Sequence, residues 1–163
     1  MNEKRIIEGL KEALAIDKSL LAFQAESNHI EGIRSVRAGE VEALAALLAA
    51  SRLGIAELVA YVAVIQPNAR LRSAVDIPRV RVGNHIAPPS GPELMASLTA
   101  LLSNINVGFV TPYEAHCRYE TLHPFTDGNG RSGRALWLWM RKGNAPLGFL
   151  HQFYYDTLAE GRR

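Results

Sequence analysis

The chain of 163 residues has one cysteine, Cys117, so it can build neither an internal disulfide framework nor a cysteine-based zinc site. Excess charge of one sign is also missing. Lys and Arg total 18 and Asp and Glu 16, a formal net charge of +2, which is too little for a general nucleic-acid coat. No apolar run reaches the roughly 18 residues of a membrane span. The charged start, Met1-Asn2-Glu3-Lys4-Arg5, leads into an amphipathic pattern rather than a secretory apolar stretch, so a cytoplasmic protein is expected, with signal-independent export left open. His29, His85, His116 and His151 lack metal-ligand spacing such as H-E-x-x-H, so no zinc is expected. No repeat, low-complexity tract or Gly/Ser/Pro-rich linker divides the sequence.

What is present is an ordinary globular composition, 48% hydrophobic and 21% charged, at a length that suits one domain over residues 1–163. Apolar residues recur at three- and four-residue spacing over residues 6–23 (Ile6, Leu10, Leu14, Leu20, Phe23), which predicts a helix. An Ala- and Leu-rich stretch, 41–50, reads as a helix buried on most sides, and 55–65 as another that Pro67 stops. Over 77–82 apolar and basic residues alternate, and Gly83-Asn84 follows with turn chemistry, a pattern for a short hairpin with Pro78 at its exposed edge. Pro92 opens a further helix, and Thr111-Pro112 starts one that the threonine caps and that runs to Leu122. Residues 130–141 are apolar nearly all round and read as a central helix, with Trp137 and Trp139 as core rather than a base-stacking platform. A last short helix is expected over 153–158. Arg70, Arg72, Arg79 and Arg81, offset by Asp76, read as a solvated loop, or as a dock for an acidic target segment by strand addition. Cys117 reads as a small core residue. The class is mostly α with one small β element.

The segment His123-Pro124-Phe125-Thr126-Asp127-Gly128-Asn129-Gly130-Arg131-Ser132-Gly133-Arg134 concentrates the chemistry. Its glycines let the backbone approach a ligand and aim N–H groups at it, at a helix start that favours an anion. Arg131 and Arg134, three apart, match phosphate oxygens with their guanidinium forks. Asp127 is a hard oxygen donor suited to Mg²⁺ shared with phosphates. The imidazole of His123 has the ordinary pKa of a general base at neutral pH. Together these residues describe a site for phosphoryl or nucleotidyl transfer. Taken singly they also fit a glycine-rich turn with two solvated arginines. Gly128, Gly130 and Gly133 formally satisfy G-x-G-x-x-G, but that fingerprint needs a preceding strand and 113–122 reads as helix. No Walker A string occurs.

The segment also resembles the signature of the Fic family (filamentation induced by cyclic AMP), H-P-F-x-D-G-N-G-R-x-x-R, with every fixed position present. The hairpin before His85 and Pro88-Pro89 is similar to that family's target-binding flap, and Tyr154, Tyr155 and Leu158 to its C-terminal helix, so the likeness spans about 27–158. It implies the all-α Fic fold and an enzyme moving AMP from ATP to a hydroxyl side chain (Ser, Thr or Tyr) of a target protein. Under that resemblance His123 deprotonates the hydroxyl, Pro124 and Phe125 fix the loop, and Asp127 holds Mg²⁺ (or Mn²⁺). Gly128, Asn129 and Gly130 form the anion hole, Asn129 also touching the α-phosphate, while Arg131 contacts the phosphates and Arg134 pairs with the γ-phosphate. Arg81, Val82, Gly83, Asn84 and His85 belong to the target-docking flap.

Ser27-Asn28-His29-Ile30-Glu31-Gly32 resembles the family's inhibitory motif, [ST]-x-x-x-E-[GN]. The bland alternative is a helix end that Gly32 caps. The inhibitory reading puts Glu31 on the guanidinium of Arg134, excluding the γ-phosphate, with residues 1–35 as an N-terminal helical part ahead of a 36–163 core. Rival readings are AMP removal, with Glu31 as base, and Doc-like phosphotransfer, against which Gly128 and Gly130 speak. A non-catalytic nucleotide-sensing module is the rival of another class. A nucleic-acid or membrane partner is not expected, and homo-oligomerisation, the target and the nucleotide beyond ATP stay open.

Overall fold

In the computed structural model, which describes residues 3–144 (backbone alone for 3, 4, 6, 10 and 13–17), each helix begins and ends where its local chemistry allows. Helix α1 (Glu3–Ile30) runs seven residues further than its apolar spacing predicts. It closes in a Schellman motif: Gly32 at φ 76 donates to His29 O at 2.9 Å and Ile33 N to Asn28 O at 3.0 Å. Helices α2 (Glu40–Ala49) and α3 (Ile55–Ile65) follow. Of α2 only Glu40, Leu44 and Leu47 are buried, so it is less enclosed than its composition suggests. Gln66 ends α3 and precedes Pro67, which cannot continue the helix.

The expected hairpin is present but short: β1 (Arg81–Val82) pairs antiparallel with β2 (His85–Ile86) in the register Arg81 to Ile86 and Val82 to His85. Helix α4 (Pro92–Asn106) has proline in its first turn. Helix α5 (Pro112–Leu122) opens on a full capping box, Thr111 accepting from Glu114 N while Glu114 accepts from Thr111 N. Helix α6 (Asn129–Met140) starts one residue before its expected position. It packs against α1, α2, α3 and α5, and residues 131–138 are all buried, which makes it the central element.

Phe23, Leu44, Leu58, Tyr61, Leu98, Phe125, Leu136 and Trp137 belong to one core. Trp137 is core as expected, and Trp139 is half-buried with its Nε1 donating to Ala50 O at 2.9 Å. Cys117 is only half-buried on α5. The fold is therefore all-α with a small β-hairpin. The helix expected over 153–158 lies outside the described residues. Among those described, no helix is long and apolar enough to cross a membrane.

Candidate active site

Residues 123–128 join α5 to α6, and the backbone there is held from both sides. His123 caps α5 in the left-handed region, φ 50 and ψ 61, a conformation that costs a residue with a Cβ about 1–2 kcal/mol. Residues 70–72 run antiparallel to 124–126: Arg72 N donates to Pro124 O and Thr126 N to Arg70 O, both at 2.9 Å, around a bridge of Leu71 to Phe125. The Asn129 side chain, 2% exposed, accepts from Phe125 N at 2.9 Å and donates to Phe125 O at 2.8 Å. Asn129 thus braces the loop with its amide, rather than projecting it towards a phosphate as the resemblance implied.

Gly128 supplies the left-handed N-cap of α6, φ 78, and an added Cβ there would lie 3.3 Å from Gln66 Cβ. Ser132 N donates to Gly128 O at 3.0 Å. The N–H groups of Asn129, Gly130 and Arg131 come before it and have no intrahelical acceptor, which gives the helix start its pull on an anion. Asp127 stands exposed at this mouth. Its Oδ1 accepts from Gly128 N at 2.7 Å and its Oδ2 from Gln66 Nε2 at 2.6 Å. Among the described residues no cluster of three or more His, Cys, Asp or Glu could enclose a metal alone. A single exposed hard carboxylate suits a Mg²⁺ or Mn²⁺ whose other ligands are phosphates and water, so the residues present fit that ion.

The half-buried imidazole of His123 has its Nδ1 3.4 Å from Glu120 O, a long contact in which the carbonyl can only accept, so Nε2 is left as the basic nitrogen. Burial lowers the His123 pKa from its ordinary 6.5, and the charges of Arg72 and His85 push the same way. The Glu120 backbone and the Asp127 carboxylate oppose the shift. His123 is therefore neutral at pH 7.

The two arginines part company. Arg131, 3% exposed, gives Nη1 to Ile65 O and Nη2 to Gln66 Oε1, both at 2.8 Å, so its guanidinium ties α6 to the end of α3 instead of facing an open mouth. Arg134, 1% exposed, meets α1. Its Nε donates to Ser27 Oγ at 2.8 Å, and Nη2 donates to Ser27 O at 2.9 Å and to Glu31 Oε1 at 2.7 Å. Ser27 and Glu31, singled out from sequence, are thus brought to Arg134, and Gly32 caps the same helix.

A sequence model of the Fic/DOC family matches residues 68–140. The chain carries a Fic domain. A search of curated proteins returns no match. A Fic domain places the chain among transferases of the nucleotidyl or phosphoryl kind, which act with a nucleotide and a protein target.

The Fic segment contains the hairpin, whose Gly83 takes φ 58 in the turn. His85 Nε2 lies 2.9 Å from Thr121 O, which ties the hairpin that carries Arg81, Val82, Gly83, Asn84 and His85 to the end of α5 through His85. Two residues escaped sequence reasoning. Gln66 joins Asp127 to Arg131, and only its place before a proline sets it apart. Arg72 was expected in a solvated loop with Arg70, Arg79 and Arg81, but it is fully buried at 0% exposure, whereas the other three are exposed. Its guanidinium finds acceptors on segments remote in sequence, which no local pattern reveals.

Proposed function

We propose that the chain is a protein adenylyltransferase that transfers AMP from ATP to a hydroxyl side chain of a target protein, and that Glu31 restrains it. The observation that carries this reading is the Glu31–Arg134 pair, 2.7 Å long, at the end of a loop that also presents a neutral histidine, a helix N-terminus and an exposed carboxylate. The hydroxyl gives its proton to His123 Nε2 as its oxygen bonds the α-phosphorus. The bond from that phosphorus to the bridging oxygen breaks, and pyrophosphate leaves. Asp127 would hold a Mg²⁺ or Mn²⁺, which would supply positive charge to offset that of the departing pyrophosphate. The N–H groups of Asn129, Gly130 and Arg131, with the turn at Gly128, receive phosphate oxygens. Arg131 Nε, buried without a hydrogen-bond partner, adds positive charge behind them. Arg134 clamps the γ-phosphate when Glu31 releases it, and the hairpin docks the target.

Glu31 competes for the same guanidinium, and Ser27 aligns the fork. A charge-assisted pair of this kind contributes about 1.5–3 kcal/mol before desolvation, and each 1.4 kcal/mol is about tenfold. Glu31→Gly is therefore expected to raise transfer roughly ten- to a hundredfold, read as label from ATP on the protein itself or on a target, with mass spectrometry for the added AMP. His123→Ala in the Glu31→Gly background should remove the signal. Equal rates for wild type and Glu31→Gly would refute the restraint and leave 27–32 as a capped helix end. Loss of an AMP-removing activity in Glu31→Gly would instead make Glu31 a base in hydrolysis.

A further inference from the structure

Arg72 is a fully buried cation whose acceptors are all neutral. Its Nε donates to Ser90 Oγ at 3.2 Å, and Nη2 to Pro88 O. Its Nη1 donates to Leu122 O at 3.2 Å and to His123 O at 2.6 Å. The backbone repeats the pattern, Arg72 N donating to Pro124 O and Gly91 N to Arg72 O at 3.0 Å. A buried charge without a counter-ion is costly, and a methionine or leucine would fill the space more cheaply if filling were the need. What the guanidinium supplies is a planar fork that reaches two elements at once. On one side stands the root of the hairpin, Pro88 and Ser90. On the other stands the carbonyl of His123, in a residue whose left-handed backbone needs outside support to persist.

We propose that Arg72 is a positioning residue that locks the His123 carbonyl and the root of the hairpin into one unit, so that base and docked target hydroxyl meet at a fixed separation. The inference rests on the reading of His123 as the base. Lysine keeps the charge and most of the stem but lacks the fork, so Arg72→Lys separates positioning from charge. Ser90→Ala removes the hairpin-side acceptor and leaves the His123 side whole.

The test uses the full chain with Glu31→Gly, following label from ATP onto the protein while ATP is varied, with thermal melts to confirm folding. Arg72→Lys should lower the rate at saturating ATP roughly 10- to 100-fold, the scale of a misplaced catalytic group, and leave half-saturation by ATP within about twofold. Ser90→Ala should show the same split with a smaller loss. A folded Arg72→Lys with unchanged rate would overturn the proposal, as would a rate and an ATP affinity that fall together. Should Arg72→Lys fail to fold, Ser90→Ala decides alone: a lower rate at unchanged ATP affinity supports the lock, and an unchanged rate refutes it. If the Glu31→Gly parent transfers nothing, the base reading has failed on its own terms. The lock is then read from the imidazole NMR signal of His123, assigned with His123→Gln: movement in the two variants supports it, and coincidence with wild type overturns it.

Discussion

His123 combines a strained backbone with a depressed pKa, and the two have separate causes. The strain follows from capping α5 while turning into the loop, and the depression follows first from burial. A base whose pKa lies below 6.5 is deprotonated throughout the neutral range. Transfer by the Glu31→Gly protein should therefore rise with pH through a midpoint under 6.5 and be flat above it; a midpoint above 7 would contradict the assignment. His123→Ala should lose about 10²–10⁴-fold, the usual reach of general-base catalysis, while calorimetry finds ATP binding within a few-fold of the parent. Arg72 and Gln66 show where single-residue reading ends. Both sit in segments that look solvated, and both matter through partners 16 to 65 residues away, since Arg72 reaches Pro88 and His123, and Gln66 reaches Asp127 and Arg131.

Among the elements, α5 and α6 meet most closely at Gly133. A Cβ at that position would lie 2.4 Å from Glu120 Oε1, 3.1 Å from Tyr119 Cδ1 and 3.3 Å from His116 Cε1, all on α5. Gly133→Ala forces those side chains aside in a packed interior, at an expected cost of about 1–3 kcal/mol. A urea titration measures it, and an unchanged midpoint would mean that the interface yields. Since Gly133 adjoins Arg134, the same substitution should loosen the Glu31 contact and raise transfer above wild type. Helix α3, the N-cap and the end of α5, the hairpin turn and the start of α6 to within one residue were legible, because Gly, Pro, Thr and apolar spacing are local signals. The last seven residues of α1 were legible only from the Gly32 cap signal, not from apolar spacing. There the buried face is polar: Gln24, Ser27 and Asn28 are all 0% exposed. Tyr61 OH donates to Gln24 Oε1 at 2.9 Å, Gln24 Nε2 to Asn28 Oδ1 at 3.0 Å, and Asn28 Nδ2 to Glu40 Oε2 at 2.7 Å. Hydrophobic periodicity cannot register a face made of amides.

For the whole molecule, that face makes α1 part of the core, apart from any restraint that Glu31 is proposed to exert. Leu20 and Phe23 are 7% and 2% exposed, and burying two such side chains contributes about 3–6 kcal/mol. Removing residues 1–30 should thus lower the melting temperature by roughly 10–20 °C, whereas Glu31→Gly should shift it by only a few degrees. Equal melting temperatures for the truncated and full chains would show that α1 is merely appended. Acid acts on the whole molecule through His116, which burial holds at a pKa of about 4 against its ordinary 6.5, Arg134 adding to the depression. The folded protein binds this proton more weakly than the unfolded chain, so stability is full above pH 6.5 and declines as pH falls towards 4. The loss amounts to about 3 kcal/mol once the group is fully titrated. His116→Gln removes this titration, and urea midpoints at pH 7 and pH 4.5 should lie closer together in that variant than in wild type.

Glu31 and Arg134 are separated by 103 residues, and the order in which they are made has a consequence for the living cell. At about 5–20 residues per second a ribosome takes roughly 5–20 s to cover that interval. Helix α1 has by then left the exit tunnel, while the loop that carries His123 and Asp127 gains its floor only when α6 emerges and docks. The loop and its contact with Glu31 are consequently completed in the same event. Under the proposed function, a newborn chain passes through no interval in which it is armed and Glu31 has yet to be translated.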